Sequence, residues 1–366
     1  MNKHIMVGMD VHDENILMKY AVDREDPKLL SVKNSDGGRQ RMIRILKKCA
    51  QDEGEAKVVF AYEASQLGFG LYDELTDARF EGYVLAPTKL SHSPKHRKQK
   101  TDEADAEDIL EVIRGHILAG NKMPKIWIPD HQTRNDRELV RMRLTVGEKM
   151  TSIKAQIKCL LKRNKLTKPG NTGQGWTKKY RDWLEVLTSD DSELPLGVKA
   201  ALRSLLRQLK MLEQEVRSLD NDIIALSGTP RYAEPVKELI KIKGVGFLTA
   251  MVFLTELGDL RRFPNRQCLA SYLGLIPSCR ESGKRNDHKG HITHQGPARV
   301  RKMLCQTGWT IARCNPDEKV VYRRIVDKNP QHKKIGLVAL MRRISIKMWH
   351  RGLEAQLRAN CFQDAA

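Results

Sequence analysis

No stretch of this chain approaches the roughly 20 consecutive apolar residues a membrane-crossing helix needs, and its opening residues MNKHIMVGMD are already charged at Lys3 and Asp10. Neither a membrane span nor a secretory leader is expected. The seven cysteines, at 49, 159, 268, 279, 305, 314 and 361, are odd in number and include no CxxC pair. This argues against a disulfide framework or a structural zinc centre, and fits a reducing cytoplasm. Acidic residues are the scarce charge. There are 45 Asp and Glu against 65 Lys and Arg, for a net charge of +20. The imbalance is local: residues 1–128 sum to −1, 129–228 to +6 and 229–366 to +15. A local +15 exceeds what solubility requires and marks the last third as a polyanion-binding segment.

With 366 residues, 40% of them hydrophobic, the chain has enough material for two or three domains. The first third alternates short apolar runs with helical patterns. Strands are expected at Ile5–Met9, Ile16–Val22, Leu29–Val32, Lys57–Ala61 and Gly82–Leu85, and helices from Gly37 to Ala50, Gly70 to Ala78 and Asp102 to Ala119. The resulting βββαβαβα order is, in outline, the ribonuclease H layout. The middle third changes period. Leu139, Met142, Val146, Met150, Ile153, Ile157 and Leu160 form one heptad seam, and Val198, Leu202, Leu205, Leu209, Leu212, Val216, Leu219, Ile223 and Leu226 another. Two such helices can pair as an antiparallel hairpin within the chain or across subunits of a dimer or tetramer. After Pro230, the string LIKIKGVGFLTA resembles the turn of a helix-hairpin-helix, in which Lys243, Gly244 and Gly246 would hold a nucleic-acid phosphate on backbone N–H groups. We therefore expect a catalytic α/β domain over 1–128, a helical coiled-coil spacer over 129–228 and a basic, mainly helical nucleic-acid-binding domain over 229–366.

The acidic residues that cluster need their own explanation. Asp10 closes the first apolar run, Glu63 follows the central one, and Asp102 and Asp105 occupy the first turn of a helix whose buried stripe continues through Ile109 and Ile113. Carboxylates that extend an apolar stripe are costly to desolvate unless they are paired or bind cations. Oxygen-only ligands favour Mg²⁺ or Mn²⁺. The competing account is helix capping, with Asp102 as the N-cap and both aspartates favoured by the helix dipole. Cys279, His288, His291 and His294 lack a zinc-ligand spacing, and a role against phosphate is the simpler reading. The basic run His92–Lys100 before Asp102 is either a phosphate contact or a solvated loop.

The strings MVGMDVH, FAYEAS and KTDEADAEDI, in that order, resemble the DEDD transposases of insertion sequences of the one-ten type, whose N-terminal domain looks like the Holliday-junction resolvase RuvC. KIKGVGFLTA, YLGLIPSCRESGK, GHITHQG and the run from Arg299 to Leu304 resemble the C-terminal transposase domain of the same family. The resemblance implies a RuvC-like fold for 1–128, with Asp10, Glu63, Asp102 and Asp105 as metal-binding catalytic residues. It also implies a serine nucleophile at Ser282, with Ser278 as the alternative. Arg280, Lys284 and Arg285 around it are placed to neutralise developing phosphorane charge, and with Arg299, Arg301 and Lys302 they are the expected nucleic-acid contacts. Family members often carry two adjacent serines where this chain has Glu281-Ser282, and many read ITK where this chain reads Ile292-Thr293-His294. The implied activity is metal-dependent DNA strand cleavage and rejoining. Some relatives are guided by a structured noncoding RNA, so RNA joins DNA as an expected partner. A RuvC-like junction nuclease using water, and a non-catalytic nucleic-acid-binding protein, are the rival readings.

Overall fold

The structure is a computed structural model and describes residues 3–89, 101–279, 289–328 and 330–363. The chain divides into two compact units, Met1–Ile128 and Pro129–Ala366. The first is mixed α/β, in the order β1 (His4–Val11), β2 (Asn15–Val22), β3 (Lys28–Lys33), α1 (Asp36–Asp52), β4 (Lys57–Glu63), α2 (Gly70–Asp77), β5 (Glu81–Leu85) and α3 (Asp102–Ala119). The expected element order is observed. The five strands form one sheet in the order β3-β2-β1-β4-β5, with β1 antiparallel to β2 and parallel to β4. This arrangement is compatible with a ribonuclease H-like domain.

Between their polar ends the central strands are apolar, Ile5–Met9 in β1 and Val58–Tyr62 in β4, because both of their faces are covered. Successive side chains alternate between two cores. Ile5, Val7 and Met9 join Val58, Phe60 and Tyr62 in packing with Met42, Ile43 and Leu46 of α1. Met6, Val59 and Ala61 pack on the opposite face with Ile109, Leu110 and Ile113 of α3. Helix α3 lies so close to β1 that a Cβ on Gly8 would stand 2.3 Å from the Ala106 carbonyl oxygen and 2.4 Å from the Leu110 nitrogen. Only glycine permits that approach.

The second unit is helical apart from a short antiparallel pair. Its elements are α4 (His131–Arg163), α5 (Lys178–Val186), α6 (Leu196–Ser227), α7 (Ala233–Ile240), α8 (Phe247–Leu257), α9 (Arg266–Tyr272), β6 (Pro277–Cys279), β7 (Lys289–Ile292), α10 (Ala298–Cys314), α11 (Pro316–Lys328) and α12 (Lys333–Gln363). Residues 129–228, expected as a separate spacer, share this unit with 229–366. The heptad stripes are matched within the chain: Ile153, Ile157 and Leu160 of α4 pack with Leu202 and Leu209 of α6, and nearer the other end Arg143 bonds Asp220 at 2.7 Å. The two helices therefore run antiparallel. One seam position differs from expectation. Met142 is 50% exposed, while Val140 and Leu144 turn inward to join Ile223 in the C-terminal core. That core surrounds α8, whose residues Thr249 to Leu257 are all buried, as a helix apolar on every side must be. The buried Arg137 of α4 donates to the carbonyls of Thr255 and Glu256, each at 2.7 Å, satisfying the end of α8.

Candidate active site

Pleat and register bring the first two carboxylates together. Met6 pairs with Val59 and Gly8 with Ala61, all on the α3 face, and the register ends at Met9 opposite Tyr62. One residue further along each strand stand Asp10 and Glu63, side by side on that same face. Both are partly buried. Because α3 is seated on Gly8, its first turn carries Asp102 and Asp105 to the same end of the sheet. Asp102 is not the helix cap. Thr101 takes that role, its side chain accepting from the Ala104 N–H. The capping account of Asp102 is thereby removed.

His12 is the residue that the sequence reading passed over. Its Nε2 lies 3.0 Å from Oδ2 of Asp10 and 3.6 Å from Oδ2 of Asp102. One ligand atom from each of Asp10, His12 and Asp102 falls within 4.8 Å of the others, the possible metal-holding group found among the described residues. The available signal was strand alternation, since residues 10 and 12 share a face at the end of β1. Lys19 was missed as well. It pairs with Gly8 across β1 and β2, is 9% exposed, and bonds Glu103 at 2.9 Å and Glu107 at 2.7 Å. It thus ties the first turns of α3 to the sheet. A lysine inside the apolar run NILMKYAV was its mark in the sequence.

The electrostatics follow from this crowding. Burial pushes the Asp10 carboxyl above its ordinary value, the nearby Asp102 and Asp105 charges push the same way, and His12 opposes them. A cation would reverse each of the unfavourable effects. Partly desolvated carboxylates with an imidazole at their edge are a donor set that fits a divalent ion.

In the second unit, Lys243 and Gly246 are exposed on the turn between α7 and α8, with Gly246 as the N-cap of α8. Gly244 has φ +97°, and a Cβ there would meet Ile311 at 2.4 Å, so glycine is required for both conformation and space. Arg299 is exposed in the first turn of α10. Lys302 bonds Glu148 at 2.6 Å, and Arg301 donates to the carbonyls of Leu273, Gln295 and Gly296. Arg301 therefore holds the loop before α10. Ser278, exposed on β6, lies against Gly290 of β7. Ser282, Arg280, Lys284, Arg285 and the His92–Lys100 run lie outside the described residues.

Comparison with known proteins matches both units. The DEDD transposase of IS110 elements, described as Transposase, matches residues 7–165, and the Transposase IS116/IS110/IS902 family matches residues 236–323. The chain belongs to the insertion-sequence transposases, and within them to the IS110-type DEDD family. It is similar to the putative transposase y4qE of Sinorhizobium fredii, with 28% identity over 76% of this chain and 64% of the relative. It also resembles the transposase of insertion sequence element IS1533 of Leptospira borgpetersenii, with 23% identity over 84% and 86% of the two chains. The transposase of insertion sequence element IS1111A of Coxiella burnetii is 25% identical over 60% and 57%. The chain thus spans just under two thirds of the length of y4qE. Among the described residues, no helix is long and apolar enough to cross a membrane.

Proposed function

We propose that this chain is a DNA transposase that cuts and rejoins strands with Asp10, Glu63, Asp102 and Asp105 holding Mg²⁺ or Mn²⁺. The observation that carries the reading is the register that sets Asp10 beside Glu63 while Gly8 admits the helix bearing Asp102 and Asp105. Bound there, divalent cations supply Lewis-acid polarisation of a phosphodiester and stabilise its leaving oxygen. The chain's own contribution is placement: two strand ends and one helix turn bring the carboxylates to one end of the sheet, and Lys19 ties that helix to the sheet. The strand order, with an antiparallel three-stranded meander followed by two parallel strands, supports a ribonuclease H-like, RuvC-like catalytic domain for residues 1–128.

Residues 129–228 act in this reading as an intrachain helical hairpin that shares its unit with residues 229–366, the DNA-binding part. Its +15 charge supports contact with DNA, and equally with a guide RNA. The turn carrying Lys243, Gly244 and Gly246 fits a helix-hairpin-helix phosphate contact, with Arg299 and Lys302 nearby in function. Ser282 is the proposed nucleophile, its hydroxyl proton passing to a base as oxygen attacks phosphorus and the strand's bridging oxygen departs.

A strand-exchange assay with Asp102→Asn and, separately, Ser282→Ala tests the proposal. Both variants are expected to lose recombination, and a covalent protein–DNA adduct is expected to vanish with Ser282→Ala. Loss with Asp102→Asn alone would indicate a water-using nuclease. Full recombination by both variants would exclude catalysis at these residues.

A further inference from the structure

The geometry assigns His12 to the cation site itself, its Nε2 serving as a metal ligand whose nitrogen makes the site favour Mn²⁺ over Mg²⁺. This inference rests on the metal-dependent reading above. In an octahedral shell with bonds of about 2.1 Å, adjacent ligand atoms are about 3.0 Å apart and opposite ones about 4.2 Å. The His12 Nε2 to Asp10 Oδ2 distance of 3.0 Å is that of neighbouring corners, and the 3.6 Å to Asp102 Oδ2 lies between the two limits. With all three ligand atoms within 4.8 Å of one another, the group is compact enough to close around one ion.

The residue is also held in place from its backbone. The His12 N–H donates to the Asn15 carbonyl at 2.9 Å, and the Asn34 side-chain amide donates to the His12 carbonyl at 2.8 Å. Both backbone groups are thus fixed while the ring remains about half exposed. Burial does not force the imidazole between two aspartates, whereas a preorganised ligand would be placed there. Mg²⁺ keeps to oxygen donors and sheds water reluctantly, while imidazole suits the later divalent metals. A set of carboxylates with one imidazole therefore gains more from Mn²⁺ than from Mg²⁺. The alternative, an imidazolium merely neutralising two carboxylates, places no nitrogen on a bound ion.

The test uses the full chain and Mn²⁺ itself. Pulsed electron paramagnetic resonance of the wild-type protein with Mn²⁺ is expected to show coupling to a directly bound nitrogen, a readout that needs no variant and no activity. In His12→Ala the coupling should disappear, with Mn²⁺ affinity falling at least about tenfold. Mg²⁺ affinity, read by competition, should change by less than about threefold. Mn²⁺ bound without nitrogen coupling, or an unchanged ratio of the two affinities in His12→Ala, would overturn the role of His12 and leave the metal-dependent reading standing. Failure of the wild type to bind either ion would overturn both.

Discussion

Asp10 shows how a side chain can be unfavourable for folding and yet suit the proposed cation site. Its carboxyl is raised by burial and by the Asp102 and Asp105 charges. The folded state therefore binds a proton more readily than the unfolded state, and stability falls as pH rises from the ordinary value of 3.8 through the folded one. Above that window the penalty is complete. Asp10→Asn is accordingly expected to raise the metal-free thermal midpoint at pH 7 by about 2 °C, with most of the gain gone by pH 3.8, once pH has fallen through the folded value. Melting curves in chelator at the two pH values check it. A midpoint lowered at pH 7 would mean that the contact with His12 outweighs desolvation. The same logic explains why His12 escaped a search for acidic residues: its importance comes from the Asp10 side chain it faces, a relation set by the strand pleat.

At the scale of elements, the seating of α3 on β1 joins the two halves of the carboxylate group. In Gly8→Ala the added methyl would meet backbone atoms of Ala106 and Leu110, which cannot rotate away. The helix must shift or the strand bend, at about 1–3 kcal/mol as for other overpacked cores. Urea unfolding should report that loss. Cation affinity measured on the still-folded protein should fall as well, because Asp102 and Asp105 ride on the displaced turn. Unchanged stability would show that α3 is not seated so tightly. The boundaries of these elements could be read from sequence because apolar alternation is local, although the cap of α3 is Thr101 and not Asp102. The partner of the heptad helices could not. A stripe specifies a face to bury but not which chain supplies the other half, and α4 also turns Val140 and Leu144 toward the C-terminal core.

At the scale of the whole molecule, the second unit carries one buried carboxylate, Glu318, paired with two half-exposed cations, and a second, exposed pair between Asp130 and Arg231. Burial raises the Glu318 carboxyl, but hydrogen bonds from Lys347 and Arg343 outweigh it and hold the group below its ordinary value of 4.5. Asp130 is likewise held low by Arg231 and Thr133, against burial. Depressed carboxyls contribute stability that is full above their unfolded values and is lost as pH falls through the folded ones. The unit is expected to lose stability as pH falls below 4.5 and through the lowered folded value of Glu318. Glu318→Gln should cost about 2 kcal/mol at pH 7 and flatten that acid slope. Thermal melts of the two proteins across this range decide it; parallel slopes would exclude Glu318 as a source.

Composition and periodicity, both properties of neighbouring residues, determined that the chain has a basic C-terminal segment, an α/β first third in the observed element order, and long amphipathic helices after it. They also marked the four carboxylates, because acids at the ends of apolar runs are visible locally. Tertiary structure alone decided that the heptad helices pair within the chain, that Arg137 and Arg301 serve backbone carbonyls, and that His12 and Lys19 belong to the acidic site. Those outcomes depend on register and on a helix resting against one glycine, and no linear pattern records which distant atoms a side chain will meet.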